Sequence, residues 1–241
     1  MGSEGTATTA HSSHNLTGWM PQMAMHAATT FQEGNVEGAM VTFQQASGIL
    51  YEIARYTPIQ TGTGKDDPTK AIDLRGMEFF TPLTGGVVPG GPKYWEEAFF
   101  RYPLMPCEAA NYQSHLPDTA SQIAAWVVST MFNTAVCHHI AGTTSRIEQA
   151  IQLYKDTWFT ACQFDVDLSE SLLMIHMAVF LNLSDCYARM GQLDESHHWL
   201  RCLQVLTLDC EKRPLIRNNP TFAFFRIAGD IRTRLSASAA A

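Results

Sequence analysis

The chain is 241 residues long, 46% hydrophobic and only 16% charged, where an average soluble domain carries about a quarter charged residues. That is enough apolar material for a substantial core, and it excludes wholesale disorder. No uninterrupted apolar run reaches the ~18 residues of a membrane helix, and 16 Lys and Arg against 23 Asp and Glu leave a net charge of −7, which excludes a nucleic-acid binder that works through bulk electrostatics.

Taken in chain order, residues 1–18 are Gly, Ser, Thr and Ala with few other types and read as a disordered leader, lacking the basic start and apolar stretch of a secretory signal. Such a chain is expected in the cytoplasm or nucleus, with an organelle left open by the Ser/Thr-rich, acid-poor start. Its six cysteines, spread over the sequence and mostly inside apolar helical patterns, are then buried thiols rather than disulfides. Residues 19–56 follow as a helix pair broken at Gly34-Asn35, after which Val36, Ala39, Met40, Phe43, Ala46, Leu50 and Ile53 recur at three and four residues along one face.

Residues 57–117 change character. They hold eight of the eleven prolines, with Gly85-Gly86 and Gly90-Gly91, so no long helix runs through them. The clusters Met77 to Phe80 and Ala98 to Leu104 are too aromatic for a flexible linker, and the stretch reads as an ordered insertion, with two short strands as a β-hairpin packed on the helices. A second helix pair occupies 118–163, turning at Gly142, with Ile147, Ala150, Ile151, Tyr154, Trp158 and Ala161 as its second apolar face. A third occupies 168–211 and turns at Gly191. Pro214 and Pro220 fence off a short segment before a capping helix over 220–235, beyond which Ser236 to Ala241 are expected to fray.

The helical segments align on their glycines. Phe132 to Gly142 matches Leu181 to Gly191 without a gap: Asn133 with Asn182, Ala135 with Ser184, Cys137 with Cys186, and the rings His138 and Tyr187. The first segment fits more loosely, with Ala27 at the small site and Thr30 at the ring site. Beyond each glycine a small residue precedes a large one by four, as Ala39 and Phe43, Ala150 and Tyr154, Ser196 and Leu200. The middle unit carries three extra residues between Gly142 and Ala150. Small residues let helix backbones approach closely, as stacked antiparallel pairs require.

This pattern resembles the tetratricopeptide (TPR) repeat, best in Glu33 to Ala46, and more loosely a degenerate TPR-like family common in diatoms. The resemblance implies an all-α solenoid of stacked helix pairs whose first helices line a peptide-binding groove. It places Asn133 and Asn182 in that groove, where an amide, both donor and acceptor, grips an extended backbone whatever its sequence; His138 and Tyr187 complete the expected set. The bland alternative has each Asn serving only its own helix pair. A clamp for acidic C-termini is argued against, because Ala24, Ala28, Ala178 and Asn182 stand where its polar and basic groups belong. An uncharged groove favours an apolar peptide.

Charge is unevenly spread: residues 212–241 carry six basic residues against one acid, and the remainder ten against 22. The basic stretch reads as a solvated capping-helix face that attracts the acidic body across the stack, with a site for an acidic partner as the alternative. Catalytic and metal patterns are weak. Thr61-Gly62-Thr63-Gly64-Lys65 lacks the glycine spacing and the hydroxyl of a phosphate loop. His138-His139 and His197-His198 diverge by about 100° on a helix, and Cys137 with His176 has no motif to join them. Asp194-Glu195 suits a helix start. The sequence therefore reads as a non-enzymatic scaffold with no catalytic residue, metal or cofactor, binding a protein or peptide, without nucleic acid or membrane insertion. The alternatives are a subunit of a larger assembly packed through the aromatic stretch Phe79 to Tyr102, and a His-based metalloprotein or enzyme.

Overall fold

Gly34, Gly142 and Gly191 take left-handed backbone angles, φ 87°, 73° and 72°, a region that a Cβ disfavours. Each closes one helix, and the next begins two residues later. The computed structural model describes residues 22–56, 77–79, 100, 104–106, 119–164 and 170–239. In it the three turns join α1 (22–32) to α2 (Val36–Tyr56), α3 (Thr119–Ala141) to α4 (Thr144–Phe164), and α5 (Glu170–Arg189) to α6 (Leu193–Cys210). The first and third close identically: Gly34 N–H donates to Phe31 O and Asn35 N–H to Thr30 O, just as Gly191 N–H donates to Ala188 O and Gln192 N–H to Tyr187 O. These are the paired bonds of a Schellman motif, which satisfy the last carbonyls of the helix.

The second pair departs from the expected register. Its three extra residues do not lengthen the turn, because α4 begins at Thr144, and Ile147 N–H donates to Thr143 O as Ala39 does to Asn35 and Ser196 to Gln192. Ile147 therefore holds the place of Ala39 and Ser196, and Ala150 lies one helical turn further on. The small residues at the crossings are buried: Ala27, Ala39, Ala135 and Ala150 at 0% exposure. At the third crossing Ser196 Oγ donates to Ser184 O at 2.7 Å, so a hydroxyl bond spans the close contact between α5 and α6.

Consecutive helices pack in order from α2 to α6. The main core lies between α3, α4, α5 and α6, around Phe132, Ile147, Tyr154, Leu173, Leu181 and Leu203. After α7 (Pro214–Arg217), α8 (Pro220–Ala239) returns against α5 and α6. Helix α8 extends past the expected end at 235, since Ser236 to Ala239 include two alanines, the best helix former.

The described part of the insertion is two strands, β1 (Met77–Phe79) and β2 (Leu104–Pro106), paired antiparallel with Phe79 opposite Leu104. Residues 80–103 separate them, so they are not joined by a tight turn. Strand β2 lies on α3 and β1 on α5. The described residues are thus nearly all helical, with the two strands laid on the first helices of the second and third pairs. The leader at 1–18 and the glycine-rich Thr61 to Lys65 fall outside the described residues.

Candidate functional site

Asn133 projects from α3 onto β2 and takes both backbone groups of one residue. Its Oδ1 accepts from Leu104 N–H at 2.7 Å and its Nδ2 donates to Leu104 O at 2.8 Å. One turn earlier on the same face, Ser129 Oγ donates to the same carbonyl at 2.6 Å. Because both Leu104 groups point at α3, Leu104 and Phe79 form a non-hydrogen-bonded pair of the ladder. The Asn133 amide and Ser129 Oγ stand where a neighbouring strand would and cover this edge of β2.

Asn182 repeats the arrangement one helix pair further on. Its Oδ1 accepts from Phe100 N–H at 2.7 Å and its Nδ2 donates to Phe100 O at 2.8 Å. The second hydrogen on Nδ2 goes to Tyr154 Oη at 3.0 Å. The phenol hydrogen then faces His139 Nδ1 at 3.3 Å, and His139 Nε2–H donates to Asp185 Oδ2 at 2.8 Å. Asp185 also accepts from Arg189 Nε at 2.7 Å and from the Arg232 guanidinium of α8. Every donor in this string meets an acceptor, which fixes the orientation of the Asn182 amide. The Phe100 ring meanwhile packs against Phe224 and Phe225 of α8, with centroids 5.4 and 4.9 Å away. Chain segment, repeat helix and C-terminal helix meet at one buried place.

No family model, curated protein or solved structure matches this chain. The chemistry open to the site follows from its electrostatics. Burial opposes charge on Asp185, but the bond from His139 and the Arg232 and Arg189 guanidiniums outweigh it and hold the carboxyl near 2. Burial lowers the pKa of His139 below its ordinary 6.5 despite the Asp185 carboxylate, so the imidazole is neutral at pH 7 with its hydrogen on Nε2. The Tyr154 phenol is pushed well above 10 by burial. His139 and Tyr154 are both at 0% exposure, so the middle of this Asp–His–Tyr string is shielded from solvent, and the string orients Asn182.

His138 and Tyr187 look elsewhere. His138 Nδ1 lies 3.2 Å from Arg146 Nη1 of α4, whose Nη2 reaches Glu37 of α2 at 3.4 Å, and burial followed by the Arg146 charge lowers its pKa. Tyr187 faces α4, with Lys155 Nζ 5.4 Å from its ring centroid. Five residues along a helix turn the direction by about 140°, so neither ring shares a face with the asparagine five positions before it. Cys137 packs with Ala39, Met40 and Phe43, away from His176, whose Nε2 lies 3.6 Å from Cys162 Sγ instead. Burial pushes the Cys137 thiol up to about 12, the opposite of an activated nucleophile. Asp194 and Glu195 occupy the first turn of α6, where the helix dipole favours them. Among the described residues no group of three His, Cys, Asp or Glu side chains converges to hold a metal, and no described helix is long and apolar enough to cross a membrane.

His139 and Asp185, which sequence reasoning passed over as a pair, are the residues that brace the site. They are 46 positions apart on different helices, and no local spacing announces them. Arg232 was visible only as part of a basic C-terminal stretch.

Proposed function

We propose that the chain is a non-enzymatic, TPR-like interaction scaffold whose groove, formed by α3 and α5, binds an extended protein segment through its backbone. The observation that carries this reading is the pair of two-point amide grips by Asn133 and Asn182 at matching positions of successive helix pairs. The three glycine turns and the buried small residues at the helix crossings support the repeat architecture. An amide that binds both backbone groups of one residue reads conformation rather than side-chain identity, which suits a binding role and offers nothing to catalysis. In the alternative of an assembly subunit packed through Phe79 to Tyr102, Phe100 would not supply the interface, since it is 2% exposed within its own chain.

The test is recovery of partners from the native cell by two tagged chains, both shown folded by circular dichroism. One is Leu104→Ala, which loosens the resident segment; the other adds Asn133→Ala. In the wild-type chain loss of Asn133 weakens the resident and an incoming segment alike, so the contrast is made in the loosened background. Recovery at least 10-fold lower from the second chain is expected. Equal recovery from both folded chains would refute the groove as the binding site.

A further inference from the structure

The groove is already filled, and by this chain. What holds the filling segment is unlike ordinary strand packing. At Phe100 and at Leu104 both backbone groups bond to side-chain amides of helices. Among the described residues of the segment, two side chains are seated in the protein: Phe100 against the α8 rings and Leu104 in the main core. An extended peptide places residues four apart on one side and ~13 Å from each other, so an aromatic followed four residues later by an aliphatic residue is the pattern that the described residues present to the groove.

We propose that Phe100 and Leu104 are a built-in pseudo-ligand, and that the partner is a protein segment with an aromatic residue and, four positions later, an aliphatic one, which takes the same backbone bonds by displacing them. This rests on the scaffold reading above. A tethered occupant competes at high effective concentration, and only the fraction of molecules with an open groove binds. The resident segment therefore sets an affinity threshold that weak extended chains do not pass. Its contact with α8 extends the consequence: the partner's aromatic residue takes the place of the Phe100 ring against Phe224 and Phe225, so the C-terminal helix forms part of the partner's site.

The probe is a fluorescein-labelled synthetic peptide with the sequence of residues 98–106. Anisotropy is expected to show at least 10-fold tighter binding to the full-length Phe100→Ala/Leu104→Ala chain than to wild type. The same peptide N-methylated at the residues corresponding to Phe100 and Leu104, which removes the two N–H donors without touching the protein, is expected to bind at least 10-fold more weakly. Equal binding to both proteins, or equal binding of both peptides, overturns the proposal. A measurement on the wild-type chain guards against misfolding of the variant: with 1 mM unlabelled peptide the Phe100 and Leu104 amides should exchange hydrogen at least 10-fold faster while those of α3 and α5 stay protected, and unchanged exchange overturns the proposal. Failure of the peptide alongside Asn133-dependent recovery of partners removes the pseudo-ligand and leaves the scaffold reading standing. Success of the peptide with Asn133-independent recovery removes the groove as the partner's site and leaves the resident segment a displaceable one.

Discussion

Replacing Asn182 with Ala should cost more than replacing Asn133, although the two amides make the same pair of bonds to backbone. In Asn133→Ala the Leu104 carbonyl keeps its bond from Ser129 Oγ at 2.6 Å, so only the Leu104 N–H is orphaned, at about 1–3 kcal/mol. In Asn182→Ala the Phe100 N–H and the Phe100 O both lose the partners that Asn182 supplied, and Tyr154 Oη loses its donor, for a total of about 2–5 kcal/mol. With about 1.4 kcal/mol per factor of ten, the Phe100 amide of Asn182→Ala should exchange at least ~30-fold faster than in wild type. Urea denaturation gives the global loss and hydrogen exchange the local one. If Asn182→Ala is no less stable than Asn133→Ala, or if its Phe100 amide stays as protected as in wild type, the amide grip is not what holds the segment.

Arg232→Met removes one of the two guanidiniums on Asp185 while Arg189 and His139 remain. The expected loss is about 1–3 kcal/mol, below the 3–5 of a fully stranded buried charge, with faster exchange concentrated in α8. Acid should act through the same cluster. A carboxyl held near 2 rather than 3.8 contributes stability that is complete above 3.8 and lost as the pH falls to 2, about 2 kcal/mol in all. His139, lowered from 6.5, adds a loss in the same direction that begins as the pH drops below 6.5. The stability gap between wild type and Asp185→Asn at pH 7 should shrink by that amount toward pH 2, as read from urea curves across pH. Gly191→Ala meets no atom within 4 Å of the new Cβ but must keep φ at 72°, which costs about 1–2 kcal/mol; Gly191→Asn should cost less, and calorimetry distinguishes them. Thiol titration of the native chain should find Cys162 reactive ahead of the buried Cys137, Cys186 and Cys210.

The helix pairs were legible because glycine and small residues leave a spacing that survives in one dimension. Gly34, Gly142 and Gly191 mark the turns, and Ala27, Ala135 and Ser184 mark the crossings. The middle register was misjudged because three residues are nearly one helical turn, so Ala150 and Ile147 share a face and spacing alone does not choose between them. Asn133 and Asn182 stood out by alignment, and His138 and Tyr187 were carried along with them although helix geometry already turned them aside. That the groove holds the chain's own Phe100 and Leu104 left no trace in the sequence, for the physical reason that an amide recognises a peptide unit, which every residue has. The brace behind Asn182 was hidden differently: His139, Tyr154, Asp185 and Arg232 come from four helices, and only the fold makes them neighbours.

The order in which the ribosome delivers these parts gives the Asn182 grip a consequence in time. Phe100 is synthesised 82 residues before Asn182. At 5–20 residues per second an apolar stretch waits about 4–16 s for the helix that will hold it, and Phe224 and Phe225 of α8 come later still. For that interval the segment is an unclaimed apolar strand on a growing chain, open to chaperones and to neighbouring nascent copies. Slow codons between residues 100 and 182 would lengthen the wait, so soluble yield should fall as translation slows in that window.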